Sequence, residues 1–136
     1  AVLDPTSVAD PAEAVREITG GGAHVALDAV GITPAFHAAL ASLRPLGRHV
    51  QVGMPTGAHA RPDLPLLELV YARQLTLMGT RGIPATRFPA LFAMIASGRL
   101  SLEGLVTARI PLEEAGAALA AMDGGQPPGV TVIDRF

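Results

Sequence analysis

Apolar positions along this chain alternate between short unbroken runs and helically spaced sets, and that alternation predicts helices packed on a parallel sheet. His24-Val25-Ala26-Leu27-Asp28-Ala29-Val30-Gly31 is nearly continuous and apolar, as a strand buried on both faces would be. Ala23 to Ala29, Arg48 to Gly53 and Leu75 to Gly79 form a set of three such strands, each running into a glycine-bearing turn. Between them the spacing is helical. Val15 and Ile18 share a face opposite Glu13 and Arg16; Phe36, Leu40 and Leu43 follow, then Leu66, Leu67, Val70 and Tyr71. Strand, helix and strand at roughly 22 to 27 residues per unit signal right-handed crossovers.

Local signals place the boundaries. Asp10-Pro11 opens the first helix, because Asp can cap and Pro tolerates the first helical position; Gly20-Gly21-Gly22 stops it. Thr33-Pro34 repeats the device, with Pro45 and Gly47 as the stop, and Asp63 caps the third helix. After Gly79 the rhythm changes. Thr86 is placed to cap a helix carrying Phe88, Leu91, Phe92 and Ile95 and stopped by Gly98. Leu105 to Ile110 reads as a strand. Pro111 starts a helix with Leu112, Ala115, Leu119 and Met122 inward, ended by Gly124-Gly125, and Gly129 to Ile133 is the last strand. A boundary falls near Arg81 to Pro84.

Composition narrows the class. The 136 residues suffice for one ordinary core, filled by Ala, Leu and Val, since there are four Phe, one Tyr and no Trp. A formal net charge of −2 gives no electrostatic footprint for nucleic acid. Every basic residue is Arg, so no Schiff-base lysine exists, and without cysteine neither disulfides nor thiolate zinc sites form within the chain. The lack of cysteine permits the cytoplasmic location expected here, and no membrane partner is expected, because no apolar run approaches the ~20 residues that span a bilayer. Ala1-Val2-Leu3-Asp4 begins as if inside a strand and without Met, which points to truncation or processing.

Candidate chemistry gathers at the strand ends. In an open parallel sheet, ligands bind beyond the carboxyl ends of the strands. The turns there are Ala29-Val30-Gly31, Val52-Gly53-Met54 and Gly79-Thr80-Arg81. Glycine admits a ligand close to the backbone, where free N–H and C=O groups can bond a carboxamide or ribose; the bland alternative is that each glycine only makes its turn. Gly20-Gly21-Gly22 follows a helix and opens a strand, the reverse of a phosphate loop, and reads as a C-cap. His24, His37, His49 and His59 share no metal-binding spacing and read as structural or solvated. Glu113-Glu114 complements a helix N-terminus. Asp28, late in a strand, has two readings, one near the ligand crevice and one, preferred here, bonding neighbouring amides; Arg81 is read as meeting either phosphate or solvent. No nucleophilic triad or Gly-x-Ser-x-Gly elbow is present.

The chain resembles the medium-chain dehydrogenase/reductase superfamily, specifically zinc-type alcohol dehydrogenases. The stretches that carry this are Ala14-Val15-Arg16-Glu17-Ile18-Thr19-Gly20-Gly21-Gly22-Ala23 and Leu27-Asp28-Ala29-Val30-Gly31, then Leu43-Arg44-Pro45-Leu46-Gly47-Arg48-His49-Val50-Gln51-Val52-Gly53 and Leu77-Met78-Gly79-Thr80-Arg81. Ile110-Pro111-Leu112-Glu113-Glu114-Ala115 through Gly129-Val130-Thr131-Val132-Ile133 looks like the family's C-terminus. The resemblance implies the C-terminal portion of an NAD- or NADP-dependent enzyme that moves hydride between an alcohol or aldehyde and nicotinamide.

Its fold would be α/β, a partial Rossmann domain over residues 1–81 followed by a segment, residues 82–136, returning to the catalytic domain. In the order 3-2-1-4-5-6 the chain would supply strand 3 (Ala1 to Asp4) and strands 4, 5 and 6, leaving the edge of strand 4 open to self-association. The resemblance places cofactor contacts at Val30, Gly31, Val52, Gly53, Met54, Gly79, Thr80 and Arg81. It implies zinc in the parent enzyme, with no zinc ligands and no catalytic residue in this chain, and a homo-oligomer. The glycine fingerprint is absent from the 136 residues, and Pro127-Pro128-Gly129-Val130 stands where many relatives carry a phosphate-binding Arg. Two alternatives remain: a zinc-free quinone or enoyl reductase, and a stand-alone nucleotide- or partner-binding module.

Overall fold

A computed structural model describes residues 1–124 and 128–136. The expected stop at Gly125 and the Pro127 departure lie outside the described residues. Contacts divide the chain into two units, Ala1–Gly82 and Ile83–Phe136.

In the first unit, helix α1 (Pro11–Thr19) starts as its sequence dictates. The Asp10 carboxylate accepts from the Ala12 and Glu13 amides, and Gly20 ends the helix in the left-handed region at φ 67°. The chain then forms β1 (Ala23–Asp28), α2 (Thr33–Ser42), β2 (Leu43–Gln51), a π-helical segment Leu66–Tyr71, and β3 (Thr76–Gly79). The three strands form one parallel sheet in the order β1-β2-β3. Leu40, Leu43 and Leu75 form its buried core, with Phe36, Leu64, Leu69 and Val70 packed against them.

Several expectations are corrected here. Ala1 to Asp4 is not a strand: the Asp4 side chain instead caps a 3-10 turn, Pro5–Ser7, which binds the segment locally. The strand at Ala23 is not buried on both faces. It is an edge strand, with Val25 and Leu27 exposed, because α1 and α2 pack on the side of the sheet that carries Ala26 and His49. Leu43 belongs to β2 rather than α2, since the extended chain runs back through Pro45, where Leu46 takes φ 63°. Neither Thr33 nor Asp63 caps through its side chain; Ile32 and Pro65 hold the N-cap positions.

In the second unit, α3 (Phe88–Ala96) follows a 3-10 turn, Ala85–Arg87, that absorbs Thr86 instead of being capped by it. Strands β4 (Val106–Pro111) and β5 (Val130–Arg135) pair in parallel, with α4 (Ala115–Ala121) between them in sequence. Pro111 ends β4, and Leu112–Glu114 forms a 3-10 turn before α4. Leu112, Leu119 and Met122, expected inward, are exposed. A two-stranded sheet with two short helices has too little surface to enclose them. Among the described residues the only buried hydrophobic side chains are Ala12, Leu40, Leu43 and Leu75, so the expected ordinary core is a small one confined to the first unit.

Candidate functional site

Register brings the three strand ends together. Asp28 pairs with Gln51, and Gln51 with Gly79, so the turns after β1, β2 and β3 leave the same end of the sheet side by side. Gly20-Gly21-Gly22 enters β1 at the other end and behaves as a C-cap: the Gly21 N–H donates to Arg16 O at 2.9 Å.

A polar network welds the turns to one another. The Asp28 carboxylate accepts from the Val30 and Gly31 amides at 2.8 and 2.9 Å through one oxygen, and from Gln51 Nε2 at 2.8 Å through the other. The Asp28 carbonyl accepts from the Val52 and Gly53 amides at 2.8 and 2.7 Å. Gln51 Nε2 also donates to Gly53 O at 2.9 Å, and the Gln51 carbonyl accepts from both the N–H and the hydroxyl of Thr80. With both Gln51 N–H bonds directed at oxygens, Oε1 faces His49 Nε2 at 3.0 Å, so that nitrogen carries the proton. His49 is 1% exposed, its Nδ1 is buried without a partner, and Phe36 meets its ring edge-on. Burial alone would raise the Asp28 pKa; the bonds from Gly31, Gln51 and Val30, together with the charge of His49, overcome it and hold the carboxyl below the usual carboxylate value.

The expectation of free amides at these turns is corrected for five of them. Asp28 and Gln51 engage the N–H groups of Val30, Gly31, Val52, Gly53 and Thr80. Among the described residues no hydrogen bond is made to the carbonyl oxygens of Val30 and Val52 or by the amides of Met54 and Arg81, and the side chains of Val30, Val52 and Met54 are exposed. Thr80 and Arg81 are exposed as well.

The glycines divide. A Cβ on Gly31 (φ 84°) would stand 2.7 Å from Met54 O, and one on Gly53 would stand 2.5 Å from the Val30 carbonyl carbon. These two are glycines because one turn lies directly on the other. Gly79 has open space around it.

Asp28 bonds neighbouring amides, as its place in the strand led one to expect, and His49 takes a structural role, while Gln51 had drawn no expectation. The available signal was polar side chains inside an apolar strand, which must find partners. Among the described residues no group of three His, Cys, Asp or Glu could hold a metal ion, and no helix is long and apolar enough to cross a membrane.

Comparison with known proteins follows the same lines. The family model described as zinc-binding dehydrogenase matches residues 1–97. A probable alcohol dehydrogenase of Mycobacterium tuberculosis is 33% identical over 126 residues, 90% of this chain and 34% of that protein. A probable D-xylulose reductase A of Aspergillus terreus is 29% identical over 130 residues, 93% of this chain and 36% of that protein. Alcohol dehydrogenase TADH from Thermus sp. ATN1 superposes with a TM-score of 0.83 at 27% identity, over 98% of this chain and 38% of that one. The chain thus spans about a third of the length of the curated relatives it matches.

Proposed function

The chain belongs to the zinc-binding dehydrogenase family, and on that footing we propose that it forms the nicotinamide-side wall of an NAD(P)-dependent oxidoreductase acting on an alcohol or aldehyde. Residues 1–81 are the back part of the cofactor domain, and residues 82–136 return to the substrate domain. The observation that carries this reading is the alignment of Asp28, Gln51 and Gly79 in register, which sets the three turns in one row at the carboxyl end of the sheet.

The residues present fit a nicotinamide ring. Val30, Val52 and Met54 offer an apolar floor, the Val30 and Val52 carbonyls can accept from a carboxamide N–H, and Arg81 offers a cation to a phosphate. Gly31 and Gly53 shape that floor from beneath, while Gly79 and Thr80 bound it on the β3 side. Hydride chemistry is supplied by the cofactor when bound; this chain orients the ring and excludes water from one side. The described residues do not fit zinc, and no step here passes through a metal. The whole protein works in the cytoplasm on small alcohols or polyols.

Titrating the 15N-labelled chain with NADH tests this. Amide resonances of residues 30–31, 52–54 and 79–81 should shift with an affinity on the order of 1 mM, weak because one wall makes few contacts. Residues 20–22 should stay still. Shifts confined to other regions, or none, overturn the reading. No alcohol-dependent NADH production is expected from the chain alone.

Self-association belongs to the same proposal. Among the described residues the outer edge of β1 has no neighbouring strand, and Val25 and Leu27 on that strand are exposed. A second copy pairing there would continue the sheet. Light scattering at high concentration should give a mass above that of a monomer, reduced by Leu27→Lys; a strictly monomeric mass for the unsubstituted chain overturns it.

A further inference from the structure

The segment after β2 is tied back onto α2 by two histidines. His59 Nδ1 faces the Thr33 amide at 3.2 Å and the Thr33 hydroxyl at 3.1 Å, and His37 Nε2 on α2 meets the Asp63 carbonyl. Thr33 is the first residue of α2, whose N-cap, Ile32, makes no side-chain cap bond. His59, 26 residues further along, therefore supplies the acceptor that the start of the helix lacks. In this position Pro55, His59 and Pro62 roof a cavity of about 260 Å³, whose floor includes Phe36, His49 and Leu77.

We infer that His59 is a proton-sensitive cap on α2, latching residues 55–62 over this cavity, and that its protonation releases the loop. Accepting the Thr33 N–H requires an unprotonated Nδ1, so the neutral ring carries its hydrogen on Nε2. A proton on Nδ1 turns the contact into donor against donor and brings a cation to the positive end of the helix dipole. The Thr33 hydroxyl can turn to accept from the imidazolium, but the amide cannot, so the amide reports the change. Imidazole is the side chain whose charge changes between pH 5 and 8. Around the cavity and strap the other titratable or charged groups are Asp28 from β1, His49 from β2, His37 from α2, and Arg61 and Asp63 on the loop itself; β3 contributes none. Asp28 is already occupied by Val30, Gly31 and Gln51. The latch requires no cofactor, so it stands or falls apart from the nicotinamide reading.

The test is ligand-free 15N and 13C NMR of the chain from pH 8 to pH 5. The Thr33 amide and the amides of residues 55–62 should move together with the His59 ring carbons, through one inflection. Protection of the Thr33 N–H, corrected for intrinsic exchange, should fall about tenfold, the factor that one ordinary hydrogen bond supplies. His59→Asn keeps an acceptor oxygen near the Nδ1 position and does not titrate, so its Thr33 amide should hold still across the range. His59→Phe lacks the acceptor, so its Thr33 N–H should show the low-pH level of protection at every pH, with unchanged far-UV circular dichroism. A Thr33 amide that ignores the His59 titration, or that titrates equally in His59→Asn, overturns the inference.

Discussion

Gly53→Ala is expected to destabilise the first unit by about 3 kcal/mol or more, enough to shift its urea midpoint far down or prevent folding, whereas Gly79→Ala should stay within about 0.5 kcal/mol of the parent. The difference lies in what a methyl group would strike. At Gly53 it would stand 2.5 Å from the Val30 carbonyl carbon and 2.7 Å from that of Ala29. Both are main-chain atoms, fixed by the Asp28 bonds to Val30 and Gly31, and cannot swing aside as a side-chain tip would. At Gly79 nothing lies within 4 Å, and its φ is not in the left-handed region. Gly31→Ala should resemble Gly53→Ala, with added strain from φ 84°. Urea denaturation followed by circular dichroism measures all three. Equal stability of Gly53→Ala and Gly79→Ala would mean that the two turns are free to separate.

The glycine positions were legible, because a glycine closing an apolar run marks a βα turn. Their reason was not. Gly31 and Gly53 touch through register, 22 residues apart in sequence, and only the pairing of Asp28 with Gln51 brings them together. The strand and helix rhythm of residues 23–79 was legible for the complementary reason: burying one side of a sheet against helices imposes a local pattern of apolar positions. That pattern also misled. Val25 and Leu27 have the sequence of a strand covered on both sides, yet both are exposed, because a residue's own hydrophobicity does not say whether a partner layer is present. Caps divided in the same way. Asp10 satisfies amides two and three residues on, within reach of local sequence, while the first amide of α2 is met by His59, which no local signal could supply.

Asp28→Ala should cost about 3–5 kcal/mol, since it leaves the Val30 and Gly31 amides and the Gln51 carboxamide without their acceptor, at roughly 1–3 kcal/mol for each buried group stranded. Asp28→Asn should cost less, about 1–2 kcal/mol. One Asn oxygen can still take the two amides, but its NH₂ then confronts Gln51 Nε2, and Gln51 must turn over and face His49 Nε2 with a donor. The same carboxylate sets an acid limit. Its pKa in the folded chain lies below the usual value, so the unfolded chain takes up the proton first as pH falls. The stabilisation is complete above the unfolded pKa of about 3.9, declines below it, and is lost once pH passes the folded value. Urea midpoints measured from pH 6 to pH 2.5 should fall below about pH 4 in the parent, and the component due to this group should vanish in Asp28→Asn. Parallel pH profiles for parent and Asn variant would show that Asp28 is not the proton acceptor that joins the turns, and the rigid row on which the cofactor reading rests would lose its main tie.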